Sequence, residues 1–488
     1  MLQHPVKVSA TQSFKLLEAA AEALSLLPFE EAEALQVLPL SIEGNAVALA
    51  LLRESGPARI DQLAHRWGKV IFPHYVDRPC LEASIADAYG RLFAKNANAL
   101  DGEDAPAARY VHWLLEEAVK RAASDIHLEP VEDRLRIRLR VDGQLREYFS
   151  PPQRLRAALI NRMKLMAGIP VTAQHVPAEG RISKAILGSV WDLRVSVLPA
   201  QGGEGVVVRL LSRDGLPEAL SDLGFGPVTA GDMGRMLSMG HGLVLATGPT
   251  GSGKSTTLYT LLKRFDPKAH KIITIEDPIE YRLPGITQLG VREDMGITFA
   301  EGLRSILRQA PDILMIGEIR DAETARIALN ASMTGHLVLS SLHTMDAASA
   351  VTRLMELGLE PFLLSSVLKG VVAQRLVRRL CKSCKEMHPV NDYEARVLEG
   401  VGMRAEVLFQ EAGCSACQGT GFSGRMVVSE CFRMKERFSL SIEQRPSLQA
   451  LRETLRDLGV QSLFADGMNK VVRGETSLQE VLGVCVQV

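Results

Sequence analysis

Nine residues, Gly248, Pro249, Thr250, Gly251, Ser252, Gly253, Lys254, Ser255 and Thr256, constrain this chain more than any others. They match G-x-x-x-x-G-K-[ST]. An apolar run, Leu243 to Ala246, precedes them, and Leu258, Leu261 and Leu262 follow at helical spacing. Strand, glycine loop and helix in that order are the setting that makes the pattern a phosphate cradle rather than a chance turn. Glycines let successive backbone N–H groups turn inward, and the helix N-terminus adds its positive end. In such a loop Lys254 reaches the β- and γ-phosphates and Ser255 ligates Mg²⁺. A site for ATP or GTP on a buried strand is expected.

At 488 residues the chain exceeds one hydrophobic core, so about three domains are expected. The formal net charge of −1 argues against a dedicated nucleic-acid binder, which would carry a basic excess. Aromatic residues, at 5%, are too sparse for a base-stacking series. No apolar run reaches bilayer length, and the polar N-terminus with His4, Lys7 and Lys15 lacks a signal-peptide core. A cytoplasmic protein whose membrane role is peripheral is the expectation.

Composition shifts divide the chain. Residues 1–100 read as a small helical domain, with segments such as Phe14–Leu26 and Ile60–Trp67, and residues 97–106 as a polar linker. From 107 to 222 a helix is followed by strict alternation: Leu135, Ile137, Leu139 and Val141 on one face, Arg134, Arg136, Arg138 and Arg140 on the other. Asp142-Gly143 supplies a tight turn, and Trp191–Leu198 and Val206–Leu211 form a second pair around Gly202-Gly203. This predicts an α+β domain with an arginine-rich face. From 226 to 488 the strands change character. Ile272–Ile275, Ile313–Ile316 and Leu337–Leu342 are continuous apolar runs between helical stretches, the mark of a parallel sheet covered on both faces.

Hydrolysis needs carboxylates near the phosphates, and the strand ends of a doubly wound sheet are where they would stand. Glu280, in the segment Glu276-Asp-Pro-Ile-Glu280, and Glu318, after Ile313–Ile316, are the candidates. His336 and His343 bracket the third run and are candidates for sensing the γ-phosphate. Arg304 and Arg308, four apart on one helix face, with Arg320, Arg194 and Arg209, are candidate phosphate-contacting arginines.

Four of the seven cysteines form two pairs, Cys381 with Cys384 and Cys414 with Cys417, separated by twenty-nine residues. Four thiolates suit a closed tetrahedral Zn²⁺ site. The spacing is permissive, and a thiol–disulfide pair is the alternative. Cys80, Cys431 and Cys485 read as inert thiols.

Together the glycine loop, the segment Thr274–Glu280, the run Leu303–Asp321 and the run Thr334–Thr344 closely resemble the secretion-superfamily ATPases. Ala123–Pro130 resembles the opening signature of that family's second N-terminal domain. The likeness covers about residues 107–488, and the four cysteines are most like the type II secretion ATPase. The pilus-extension motor shares every core motif; a nucleic-acid translocase and a non-hydrolysing scaffold are the other readings. The resemblance implies a P-loop, RecA-like core and a protein-secreting, translocase-class ATP hydrolase. It also implies a homo-hexamer on the cytoplasmic face of the inner membrane. Residues 1–100 would dock on a membrane tether of the GspL type, and motion would pass to a platform protein of the GspF type. By position Lys254 and Ser255 hold phosphates and Mg²⁺, Glu318 is the acid of the Walker B strand and Glu280 belongs to the acidic segment, with the general base left open between them. The family often has Asp where Ala310 stands; Asp312 is kept nearby.

Overall fold

The computed structural model describes residues 17–27, 31–32, 35–78, 80–81, 84–85, 88–89, 105–131, 134–151, 153–212 and 215–485. The chain forms two compact units, Met1–Ser212 and Arg213–Val488.

The first unit has two separate apolar cores. Near its start, α1 (Ala21–Leu24) is followed by β1 (Val37–Glu43), β2 (Ala46–Leu51), α2 (Gly56–Trp67) and β3 (Val70–Tyr75). The strands form a sheet in the order β1-β2-β3 around Leu38, Leu49, Leu51 and Leu63. The expectation of a helical segment is therefore corrected in part. Phe14–Leu26 is helical only over Ala21–Leu24 among its described residues, and the apolar stretch Ala46–Leu51 pairs as a strand because Gly44, at φ 59°, turns the chain back on β1. Most of the expected linker, residues 97–104, lies outside the described residues.

The second core lies under α3 (Ala105–Lys120) and α4 (Arg156–Met166), on one face of a six-stranded antiparallel sheet. Its strands are β4 (Ala123–Val131), β5 (Arg134–Val141), β6 (Gln144–Phe149), β7 (Ala178–Ile186), β8 (Ser189–Ala200) and β9 (Gly203–Ser212), in the order β6-β5-β4-β9-β8-β7. Period-two alternation does what the sequence predicted. Leu135, Ile137 and Leu139 are buried, while the arginines between them face out.

The second unit is built on a seven-stranded sheet. Its elements are α5 (Pro227–Leu237), β10 (Gly242–Thr247), α6 (Lys254–Leu262), β11 (Ile272–Glu276), β12 (Thr287–Gly290), α7 (Phe299–Leu307), β13 (Ile313–Ile316), α8 (Ala322–Met333), β14 (Leu337–Leu342), α9 (Ala347–Glu356), α10 (Pro361–Val367), β15 (Leu368–Leu380) and β18 (Phe422–Arg433), which follows a small inserted segment. Sheet order is β12-β11-β13-β14-β10-β15-β18, parallel throughout except where β18 closes the edge antiparallel to β15. Every residue of β10, β11, β13 and β14 is buried. Alternate residues of β10 feed opposite cores, Leu243 and Leu245 on one side, Val244 and Ala246 on the other. Burial on both faces is why these strands read as continuous apolar runs.

Parallel pairing has one consequence for function. Thr247 pairs with Leu342 and with Ala373, and Ile316 with Ser340, so the C-terminal ends of β10, β13, β14 and the middle of β15 meet at a single sheet edge. The inserted segment holds β16 (Glu386–Pro389), α11 (Asp392–Glu399) and β17 (Val407–Gln410). Four short helices over Glu436–Val484 pack behind β15 and β18.

Candidate phosphate-loop site and metal centre

The loop after β10 is shaped by glycine. Gly248 has φ 151°, and a Cβ there would stand 2.5 Å from the Gln374 carbonyl oxygen and 2.6 Å from Ser252 Oγ. Only a residue without a side chain lets the loop close this tightly over β15. Gly253, at φ 87°, is the residue from which α6 starts, so the loop's N–H groups and the helix N-terminus converge. Gln374 props the loop from below through Nε2, which donates to the Ser252 carbonyl at 2.7 Å. Ser252 Oγ and Gln374 Oε1 are buried without a hydrogen-bond partner among the described residues. Of these two, the unpaired Ser252 hydroxyl is a donor and fits a loop made for an anion, whereas Gln374 Oε1 can only accept. Ser255, exposed at the first turn of α6, fits a hydroxyl ligand for Mg²⁺.

Lys254 is 9% exposed, and its Nζ donates to the carbonyls of Gly248 at 2.9 Å and Pro249 at 3.1 Å. Burial pushes its pKa down to about 8; the Glu318 carboxylate opposes that fall and the Arg375 guanidinium adds to it. Glu318 follows β13 and is held from both sides. Arg320 Nη2 donates to its Oε1, and His343 Nε2 lies 3.2 Å from its Oε2. The pairing with Glu318 raises the Arg320 pKa further. Beneath these groups Thr247 Oγ1 accepts the Thr344 N–H at 3.0 Å, tying the ends of β10 and β14 together. The structure thus gathers Lys254, Glu318, Arg320 and His343 at one edge. Glu280 is half-buried in the loop that follows β11, the strand paired with β13.

Other candidates stand elsewhere. His336 precedes β14 and its carbonyl accepts the Gly242 N–H, so it marks the opposite edge of the sheet. Six strand residues separate it from His343, roughly 20 Å. The expectation that both histidines face the γ-phosphate is corrected by strand direction: residues before and after one strand lie at its two ends. His336 Nδ1 instead meets the Ala331 carbonyl at 3.0 Å and Thr334 Oγ1 at 3.1 Å, closing the turn after α8. Arg304 and Arg308, exposed at the end of α7, are engaged with Glu301 and Glu323 and with Ser305, away from this cluster within the chain. Arg194 and Arg209 face each other across β8 and β9 in the first unit, and Arg209 Nε donates to Asp125 at 3.0 Å.

Two residues unmarked by motif reading also shape the site. Besides Gln374, Arg375 is 6% exposed and donates to the Met345 carbonyl at 2.7 Å and the Gln374 carbonyl at 3.1 Å. It stitches β15 to the loop that carries His343. Polar residues inside an apolar strand, Gln374-Arg375 in Leu368–Leu380, were the available signal.

The four paired cysteines form the second site. Cys381 directly follows β15, and the four sulfurs all lie within 4.8 Å of one another. Cys381–Cys414, Cys384–Cys417 and Cys414–Cys417 are 3.9, 3.7 and 3.8 Å apart. Four sulfurs about 2.3 Å from one tetrahedral zinc would be separated by about 3.8 Å, so the set fits that ion. Sulfurs joined as disulfides would be about 2.0 Å apart. Backbone N–H groups of Gly413, Cys414 and Gly421 point at Cys384 and Cys417 sulfurs at 3.1 to 3.3 Å, as thiolates require. Although burial opposes it, the N–H groups of Cys414 and Gly421 hold the Cys417 thiol below its ordinary range, while burial pushes the neighbouring Cys384 thiol up.

Residues 101–483 match the family model described as type II/IV secretion system protein. The type II secretion system protein HxcR of Pseudomonas aeruginosa is 47% identical over 79% of this chain and 79% of its own length. The type II secretion system protein E of Klebsiella pneumoniae is 42% identical over 96% of this chain and 98% of its own length. The type II secretion system ATPase E of Vibrio cholerae is 44% identical over 80% of this chain and 78% of its own. Among solved structures, the pilus retraction motor PilT with bound ADP aligns at TM-score 0.51 and 24% identity, over 77% of this chain and 97% of that one. The ATPase DotB of Legionella pneumophila aligns at TM-score 0.55 and 22% identity, over 76% and 94%. These two share the fold. From its phosphate loop to its four-cysteine insertion, the chain belongs to the type II/IV secretion system protein family.

Proposed function

We propose that this chain is the ATP-hydrolysing motor of a type II protein secretion system. The observation that carries the reading is the assembly of Lys254, Glu318, Arg320 and His343 at the C-terminal sheet edge, beside a glycine loop that admits no side chain at Gly248. Backbone N–H groups of Gly251 to Ser255 and the Lys254 ammonium neutralise the β- and γ-phosphate oxygens, where charge grows on the leaving side. The Ser255 hydroxyl would help hold Mg²⁺, which would supply charge neutralisation at the phosphates. Glu318, braced by Arg320 and His343, and Glu280 on the adjacent loop are the two carboxylates available to orient the attacking water. Arg194, Arg209, Arg304 and Arg308 are assigned to contacts made when domains or subunits come together.

In this reading residues 1–100 dock on the cytoplasmic part of a GspL-like tether, 107–222 form the second N-terminal domain and 226–488 the ATPase domain. Six copies form a ring on the cytoplasmic face of the inner membrane. Hydrolysis moves rigid modules past one another and turns a GspF-like platform protein that builds a pseudopilus. Cys381, Cys384, Cys414 and Cys417 hold structural Zn²⁺. Among the described residues no helix is long and apolar enough to cross a membrane. The test is complementation of a gene deletion with wild-type and Lys254→Ala chains. Wild type should restore exoprotein release and the variant should not. Restoration of surface pili with no effect on export would reassign the motor to pilus assembly.

A further inference from the structure

The acidic segment holds two glutamates, one fully enclosed and one half-buried. Glu276 ends β11 and is 3% exposed. Its Oε1 accepts hydrogen bonds from Thr274 Oγ1 at 2.5 Å and Gln288 Nε2 at 3.1 Å, and its Oε2 accepts one from the Tyr259 hydroxyl. Tyr259 stands on α6, the helix that the phosphate loop opens. It is fully buried, edge-on to the Tyr281 ring at 5.5 Å. Its hydroxyl oxygen also accepts the backbone N–H of Glu280 at 3.2 Å. From the other side, Gln288 on β12 donates to the Tyr281 carbonyl at 2.8 Å and accepts the Leu283 N–H at 2.8 Å. Three backbone groups of residues 280–283 are therefore gripped by two side chains that both bind Glu276.

A general base must offer a lone pair to water. Glu276 is enclosed and has three donors on its two oxygens, so it serves as an anchor. Burial, reinforced by the Glu276 charge, raises the Tyr259 pKa and keeps the phenol protonated. The phenol O–H donates to Glu276, and the same oxygen accepts the Glu280 N–H.

We propose that Tyr259 is a positioning residue for hydrolysis. With Glu276 and Gln288 it fixes the Glu280 segment to the phosphate-loop helix, and Glu276 is the anchor of that clamp rather than the base. The proposal rests on the ATPase reading above. It assigns a role to a fully buried side chain that lies beyond the phosphate loop itself.

The full-length oligomer is assayed for ATP turnover and for MgADP affinity. Tyr259→Phe keeps the ring and its packing and deletes only the hydroxyl. The expected result is a fall in kcat of about tenfold to a hundredfold, with KM and MgADP affinity within about twofold of wild type. Gln288→Met loosens the clamp from its other side and should show the same kcat-only loss, so the proposal stays testable if one variant misfolds. Glu276→Gln should retain more turnover than Glu280→Gln. Wild-type kcat in Tyr259→Phe, or a parallel loss of kcat and nucleotide affinity, would overturn the positioning role. Glu276→Gln as inert as Glu280→Gln, with nucleotide still bound, would overturn the anchor assignment. An inert wild-type oligomer would overturn the hydrolase reading on which the proposal stands.

Discussion

Lys254 gives a prediction that can be worked in numbers. Its pKa in the folded chain is pushed down to about 8 from an ordinary 10.5, chiefly by burial. Polyphosphate beside the ammonium favours its charged form, so binding should return the pKa to 10.5 or above. At pH 9 the nucleotide-free lysine is about one-tenth protonated and the bound one nearly fully so, which means uptake of about 0.9 proton on binding. At pH 7 the uptake is about 0.1 proton, and affinity should weaken about tenfold between pH 7 and pH 9. Calorimetric titration of MgADP in buffers of differing ionisation enthalpy reads this directly, as proton uptake rising with a midpoint near pH 8. Lys254→Arg, which cannot deprotonate in this range, should abolish the rise. Flat proton uptake from pH 7 to pH 9.5 in the wild-type protein would refute the reasoning. The sign for stability runs the other way from a salt-bridged lysine. Between about pH 8 and 10.5 the unfolded chain binds the extra proton, so nucleotide-free stability rises with pH there. Below pH 8 the full cost, about 3 kcal/mol, is present.

Other consequences follow from single contacts. Gly248→Ala places a Cβ 2.5 Å from a backbone oxygen in a left-handed conformation, so nucleotide binding should be lost while circular dichroism of the fold is kept. Cys414→Ser or Cys417→Ser should remove one equivalent of zinc by metal analysis and expose residues 381–421 to protease, since such ions contribute about 10–16 kcal/mol to folding. Asp346 caps α9 by accepting the Ser349 N–H at 2.7 Å and pairs with half-buried Arg452 at 2.6 Å. Asp346→Ala should lower stability by about 2 kcal/mol in denaturant titration.

Much of the site was legible because its chemistry is local. The glycine loop, its strand and its helix are contiguous, and the acids follow apolar runs whose burial on both faces dictates their composition. What sequence hides is direction and distance. His336 and His343 look equivalent in a line of residues, yet parallel strands put function at one end only, which leaves His336 capping a turn. Gln374 and Tyr259 lie far from any motif or on its wrong side, and their types are common in ordinary cores. Their importance comes from what β15 and β11 bring beside the loop. The β-sheet over Val37–Tyr75 was missed because alanine and leucine runs suit either secondary structure until a turn such as Gly44 sets the pairing. Cysteine spacing left zinc and disulfide open, and the sulfur separations favour the tetrahedral ion.

The most direct measurement is steady-state phosphate release by the purified oligomer, supplied with zinc and with the proposed tether, comparing wild type with Lys254→Ala and Glu318→Gln. The account predicts turnover in the wild type, none above background in Lys254→Ala, and a loss of about a hundredfold or more in Glu318→Gln with MgADP still bound. Phosphate release unchanged by both substitutions, or absent from the wild type, would contradict it.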